Sequence, residues 1–358
     1  MSNIINVIGT GTIGEPLIGL LTDYRKELQI DEVTFSKRSP LLTDRSKVLD
    51  LQKRGAKLCV EREKYSAFRE LGMEPAYEYE EAIARATVNI DCTPDGSGLE
   101  NKRRFYKKYE DSVKGFLAQG SEFGFGKMYA YGINDIAITS DDKYIHILSC
   151  NTHNIAALVK TLSMKSDNEI ESCYLYSGRF VCLRRSTDMS EEKGIVPSPR
   201  IEEHDDPKYG THQAKDAAHL FKTLGYNLDL FSTAMKLPTQ YMHTILFDMK
   251  LKKEITYDDV ILKIQSNPLV AATYKNNTSQ VFSFGRDHGH YGRILNQTVV
   301  VIPSLHVRND NEVIGCSFTP QDGNSLLSSV AATARFIDSE NWRNNMQRIL
   351  EDCLFKEI

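Results

Sequence analysis

Cys150 is the residue whose chemistry the rest of the chain has to explain. The segment Lys143-Tyr144-Ile145-His146-Ile147-Leu148-Ser149 before it reads as a strand. Asn151 to Met164 then reads as a helix, with Ile155, Leu158, Val159 and Leu162 on one face. A cysteine at that junction sits at a helix N-terminus, where free N–H groups and the positive end of the dipole favour the thiolate, the nucleophilic form. A small buried thiol without reactivity fits the same position, and this stretch alone leaves both readings open.

A second constellation lies near the start of the sequence. Ile4-Ile5-Asn6-Val7-Ile8 is a β-branched run, Gly9-Thr10-Gly11-Thr12-Ile13-Gly14 follows it, and Leu17, Leu20 and Leu21 then recur at helical spacing. In that order the glycines have separate physical tasks. Gly9 makes a tight turn, Gly11 lets backbone approach a pyrophosphate, and Gly14 allows close packing, with Thr12 and Ile13 leading into the helix N-terminus that faces the phosphates. The next strand, Glu32-Val33-Thr34-Phe35, ends in Ser36-Lys37-Arg38-Ser39-Pro40. An acidic residue there would bond a ribose 2′-hydroxyl, whereas Lys37 and Arg38 suit a 2′-phosphate and favour NADP over NAD; the alternative is a solvated basic turn. Two more polar turns end strands on the same sheet edge. They are Thr93-Pro94, after Thr87 to Cys92 and ahead of a helix expected near Glu100, and Gln119-Gly120-Ser121, after Gly115 to Ala118. Ligands of α/β sheets bind at such edges, although turns of this composition also serve as plain connections.

The elements that must hold these groups follow from length and pattern. A chain of 358 residues exceeds the usual single core and suggests two domains. Its formal charge of −4 implies no general affinity for nucleic acid, and no apolar run suggests a membrane span or an export signal. The seven cysteines lack metal-ligand spacing, so no metal site is expected and reduced thiols in a cytoplasmic protein fit better than a disulfide framework. Helices alternate with a short strand, Lys57 to Val60, between Leu41 and Ala86. After the Cys150 helix the pattern changes: 170–185, 228–236, 242–252, 295–302 and 312–319 read as strands, His212 to Leu224 and Tyr257 to Gln265 as helices, and 187–211 as a long surface loop. Leu326 to Ile337 and Trp342 to Leu354 read as amphipathic helices able to return to the first domain.

Taken together, Gly9-Thr10-Gly11-Thr12-Ile13-Gly14, Ser36-Lys37, Asp91-Cys92-Thr93-Pro94, Ser149-Cys150-Asn151-Thr152, Leu183-Arg184-Arg185 and Leu237-Pro238-Thr239-Gln240-Tyr241-Met242-His243 make the chain resemble the archaeal (type II) phosphorylating glyceraldehyde-3-phosphate dehydrogenases. The resemblance implies an α/β fold: a Rossmann NADP-binding domain over 1–149, completed by C-terminal helices from about 323 to 358, and an α+β catalytic domain with a largely antiparallel sheet over 150–322. It implies Cys150 as nucleophile and His243 as base, with NADP preferred over NAD as cofactor, glyceraldehyde 3-phosphate and inorganic phosphate as substrates, and a homotetramer. For substrate and phosphate binding it implies Asn151, Thr152, Arg184 and His212. The sequence departs from the family pattern at Gln213, where a second histidine is usual, at His153 in place of threonine, and at Thr319-Pro320-Gln321-Asp322 in place of His-Gln-Glu-Ser. Another acyl-phosphate or semialdehyde dehydrogenase, of the aspartate-semialdehyde kind, and a dinucleotide-binding regulator without catalysis are the alternatives these departures leave open.

Overall fold

The computed structural model describes residues 2–120, 122–167, 170–188 and 194–358; Ser121 of the third polar turn and residues 189–193 of the long loop lie outside them. The chain divides into two compact units, one of Met1–Tyr131, Ile138–Ile147 and Leu326–Asp352, the other of Gly132–Ala137, Leu148–Ser325 and Cys353–Ile358.

In the first unit eight strands form one parallel sheet: β1 (Ile4–Ile8), β2 (Glu32–Ser36), β3 (Lys57–Val60), β4 (Tyr77–Glu78), β5 (Val88–Asp91), β6 (Gly115–Gln119), β7 (Lys127–Tyr129) and β8 (Tyr144–Ile147), in the order β4-β3-β2-β1-β5-β6-β8-β7. The central strands are apolar and buried along their length, as strands covered on both faces must be. The helices α1 (Gly14–Asp23), α2 (Arg45–Lys53), α3 (Tyr65–Glu70), α4 (Tyr79–Arg85) and α5 (Ser97–Arg104) alternate with these strands. Strand order reverses between β1 and β5, so the turns after both strands flank the switch point where such sheets take ligands. Helix α5 begins at Ser97 rather than near Glu100, because Gly96 at φ 81° ends the preceding turn three residues earlier.

The second unit holds α6 (Cys150–Ser163), β9 (Met164–Asp167), β10 (Ile170–Cys173), β11 (Leu175–Arg184), β12 (Arg200–Ile201), α7 (His212–Lys222), β13 (Leu230–Lys236), β14 (His243–Leu251), α8 (Tyr257–Ser266), β15 (Val270–Thr273), α9 (Thr278–His288), β16 (Thr298–Arg308) and β17 (Glu312–Thr319). Seven of these strands form a mixed sheet, β12-β13-β11-β14-β17-β16-β15. The pairs β12–β13, β11–β14, β14–β17 and β16–β17 are antiparallel, and β11–β13 and β15–β16 are parallel. Helix α6 packs on this sheet and against α7 and α8. Almost every residue of α6 is buried, polar ones included.

Helix α10 (Gly323–Ile337), most of which belongs to the first unit, and α11 (Trp342–Cys353) close the chain. Within the first unit Ser329 of α10 accepts a buried hydrogen bond from Gln119 Nε2 at 2.8 Å, and the Phe336 ring lies where a Cβ on Gly115 would come within 2.3 Å. The sequence reading missed α9 and β15, whose short and partly polar segments give no clear period. No described helix is long and apolar enough to cross a membrane.

Candidate functional site

Cys150 is the first residue of α6, with Ser149 in extended conformation as its N-cap. Ser149 caps without bonding the helix N–H groups through its side chain; its hydroxyl instead shares a 2.9 Å hydrogen bond with Thr152. The thiol is half-buried, and burial pushes it up to about 11, with Asp322 adding to the rise and Arg185 and Arg184 opposing it. Burial thus disfavours the charged form of this thiol, and the two guanidinium groups favour it.

Two turns of the chain create this field. Asp322 follows β17 with φ 63°, a left-handed conformation that Asp tolerates better than most residues, and it is buried. Burial raises its carboxyl to about 6, against the pull of Arg185 and Arg293. Arg185, just beyond β11, is itself buried and ion-paired with Asp188.

His243 opens β14 on its buried face, directly opposite Thr319 in the β14–β17 register. Its Nδ1 lies 3.0 Å from Asn151 Oδ1, next in sequence to Cys150. An amide oxygen only accepts, so Nδ1 carries the proton and Nε2 keeps its lone pair. Burial, and then Arg185, Arg184 and Lys236, hold the imidazole well below its usual range, so it is neutral at pH 7. Neutral and with Nε2 unprotonated, the ring can accept a proton.

The residues expected to bind phosphate are less uniform. Arg184, at the end of β11, is ion-paired with Glu202, and its Nε is buried without a partner. Carboxylate pairing, the structural alternative for this arginine, is thus present in the fold. Thr152 is fully buried and turned inward to Ser149. His212 begins α7, half-buried, after the N-cap Thr211. Gln213 is buried, and its Oε1 has no hydrogen-bond partner.

In the first unit the glycine loop has the shape its sequence requires. Gly9 has φ 100°, and a Cβ there would lie 2.9 Å from the Cys92 carbonyl oxygen. One on Gly14 would come within 2.1 Å of Gly9 O, whereas one on Gly11 would meet nothing within 4 Å. Only Gly11 faces open space, which is what close approach of a phosphate needs, while Thr12 and Ile13 lead into α1. Gly9 N–H donates to Ser36 O at 3.1 Å, bringing the end of β2 to the loop. There Ser36 Oγ is buried with no partner. Lys37 pairs with Asp44 at 2.6 Å, and Lys47 of α2 reaches both Asp44, at 3.3 Å, and Thr10 O, at 3.1 Å. Burial raises the Asp44 carboxyl, but the two ammonium groups outweigh it and hold the group below its ordinary value. Arg38 is exposed.

Thr93 is fixed by Asp91, whose carboxylate accepts from its N–H at 3.0 Å, from its hydroxyl, from Asn101 and from Tyr106; Pro94 follows in the same turn. Gly120 has φ 78°, and its carbonyl accepts from His146 Nε2 at 2.7 Å. Gln119 spends its amide N–H on Ser329 and leaves Oε1 buried without a partner.

Sequence reasoning missed Arg185, Asp322, Thr319, Asp44 and Lys47. The period-two spacing of Ser317 and Thr319 on one strand, opposite Asn151 and Asn154 at i, i+3 on α6, was the signal available for the polar group around His243.

No family model matches the chain. It is similar to curated archaeal proteins named glyceraldehyde-3-phosphate dehydrogenase. The one from Metallosphaera sedula is 29% identical over 324 residues, 86% of this chain and 85% of that protein. The one from Methanobacterium bryantii is 26% identical over 350 residues, 94% of each chain. That from Sulfurisphaera tokodaii is 25% identical over 324 residues, covering 86% and 84%.

Proposed function

We propose that the chain is an NAD(P)-dependent phosphorylating aldehyde dehydrogenase that converts glyceraldehyde 3-phosphate, phosphate and NAD(P)+ to 1,3-bisphosphoglycerate and NAD(P)H. The observation that carries this reading is the pairing of a neutral His243 with Asn151, which ties a proton acceptor to the residue that follows a cysteine at a helix N-terminus. Similarity to the archaeal dehydrogenases over most of the chain supports the same reaction.

In this mechanism the Cys150 sulfur adds to the aldehyde carbon and the thiol proton passes to the aldehyde oxygen, giving a thiohemiacetal whose hydroxyl oxygen the N–H groups of the first turn of α6 can hold. A nicotinamide, when bound, would supply the acceptor for the hydride that leaves that carbon. His243 Nε2 takes the hydroxyl proton at the same stage, and the carbon becomes a thioester carbonyl on Cys150. Phosphate then attacks the thioester, with Cys150 as leaving group, and an acyl phosphate departs. Arg184 would orient the anionic groups once its guanidinium is shared between Glu202 and the ligand. His212 and the N-terminus of α7 are suited to a second anion.

The residues present fit a nicotinamide dinucleotide. Gly11 leaves room for the pyrophosphate, Gly9 and Gly14 let the loop pack tightly on the Cys92 carbonyl and on itself, and Ser36 Oγ is a buried hydroxyl awaiting a partner. NADP is the favoured form because Lys37 stands just past the end of β2 and Lys47 of α2 shares Asp44 with it, although Asp44 between them also gives NAD a carboxylate for its 2′-hydroxyl. A spectrophotometric assay of NADP and NAD reduction by glyceraldehyde 3-phosphate, with and without phosphate, tests the proposal. Phosphate-dependent turnover is expected. Reduction indifferent to phosphate would favour another aldehyde dehydrogenase, and cofactor binding without any reduction would favour the non-catalytic alternative.

A further inference from the structure

His243 is not held by Asn151 alone. Asn151 Oδ1 also accepts from Thr319 Oγ1 at 3.0 Å, Thr319 Oγ1 accepts from Asn154 Nδ2 at 2.9 Å, and Asn154 Oδ1 accepts from Ser317 Oγ at 3.0 Å. Asn154, Ser317 and Thr319 are completely buried and Asn151 nearly so. We infer that Ser317 and Thr319, acting through Asn154 and Asn151, are positioning residues that set the tautomer of His243, keeping the proton on Nδ1 and the lone pair on Nε2. The inference rests on His243 being the base.

The reasoning is one of donor and acceptor counting. A hydroxyl has one proton to give, and each amide can be turned end for end, so a row of alternating hydroxyls and amides has two self-consistent directions. In the direction Ser317→Asn154→Thr319→Asn151, Asn151 presents its oxygen to His243, so Nδ1 must donate. In the opposite direction Asn151 would present its NH2, Nδ1 would accept, and the proton would sit on Nε2, where it blocks a base.

The end of the row decides between them. The only hydrogen-bond partner of the Ser317 hydroxyl among the described residues is Asn154 Oδ1, to which it gives its proton. Reversing the row would turn Ser317 into an acceptor and leave its own proton with no acceptor in a fully buried place, which is unfavourable. The geometry is set by the fold. Register places Thr319 directly across from His243, Ser317 lies two residues away on the same strand, and Asn151 and Asn154 lie one helical turn apart on α6.

Three variants test the inference: Thr319→Val, which keeps the shape and removes the hydroxyl; Ser317→Ala, which removes the end that breaks the symmetry; and Thr319→Ser, which restores the hydroxyl. In protein labelled with 15N-histidine, with the His243 signals identified by their loss in His243→Gln, the ring nitrogens report which one carries the proton. The wild type and Thr319→Ser should show the Nδ1–H form. Thr319→Val and Ser317→Ala should show a substantial Nε2–H fraction, with kcat lowered about twofold or more in proportion to the Nδ1–H fraction lost and KM unchanged, since ground-state binding is untouched. An unchanged Nδ1–H signal in both variants would overturn the inference, as would a Thr319→Ser enzyme as impaired as Thr319→Val. If Thr319→Val does not fold, Ser317→Ala carries the same test alone. Failure of the base reading is separately visible, because full turnover in His243→Gln would sink that reading while the nitrogen signals still report the tautomer.

Discussion

Asp322→Asn should make Cys150 more reactive, and only above a definite pH. In the wild type the thiol sits at about 11, so near pH 8 only about 10⁻³ of it is thiolate, and alkylation by iodoacetamide should climb about tenfold per pH unit through the neutral range. Burial is the first cause of that high value, and the carboxylate of Asp322 the second. A single charge acting across a half-buried site is worth on the order of 1–2 kcal/mol at an effective dielectric constant near 20, so removing it should raise the thiolate fraction about tenfold. Asn tolerates the positive φ of 63° at this position, so the turn should survive the change. The sign depends on pH through Asp322 itself. Its carboxyl is raised to about 6, so it is charged at pH 8 and mostly protonated at pH 5. Alkylation rates of variant and wild type, read by mass spectrometry of the Cys150 peptide, should differ about tenfold at pH 8 and converge near pH 5. Equal rates at pH 8, or a ratio that does not change with pH, would refute the account of Cys150's environment.

His243→Ala should lower kcat by roughly 10²–10⁴-fold, while His212→Ala should mainly raise KM for phosphate or the phosphorylated aldehyde; steady-state kinetics with the reverse pattern would exchange the two roles. Lys37→Ala should weaken NADP binding by roughly 1–3 kcal/mol and hardly change NAD, and Asp44→Asn should shift the ratio toward NADP; calorimetric titrations in which both cofactors move together would contradict this. Asp216 of α7 is buried, which raises its carboxyl to about 6. The stability tied to its proton is complete below about pH 4 and is lost as pH rises through 6. Asp216→Asn should therefore stabilise the protein by up to about 3 kcal/mol at pH 7 and leave it unchanged at pH 4, and chemical unfolding showing destabilisation at pH 7 would disprove the cause given.

Those elements were readable in the sequence whose signal is local. The run Ile4 to Ile8, the glycines after it and the leucines of α1 announce strand, turn and helix because each obeys a short-range rule of burial or backbone freedom. Cys150 at a helix start was legible for the same reason, and α6 begins one residue earlier than its apolar period suggested. The upward shift of the Cys150 thiol was not legible. It depends on burial and on Asp322, which lies 172 residues further along the chain and reaches the site only through the β17 turn. Arg184 and Lys37 illustrate a related limit: a sequence shows a cation, but not that Glu202 or Asp44 already holds it. The row from Ser317 to His243 needs strand register and helix packing together, and neither can be read from one segment at a time.

The central claim is that Cys150 carries the acyl group, and a single-turnover experiment tests it most directly. Enzyme in excess is mixed with glyceraldehyde 3-phosphate and NADP without phosphate, reduction is followed by absorbance, and the quenched protein is digested and weighed. The account predicts about one NADPH per aldehyde bound, a phosphoglyceroyl group on the Cys150 peptide, and its release as acyl phosphate when phosphate is added. No burst, a burst that survives in Cys150→Ser, or an acyl group found on another residue would contradict it.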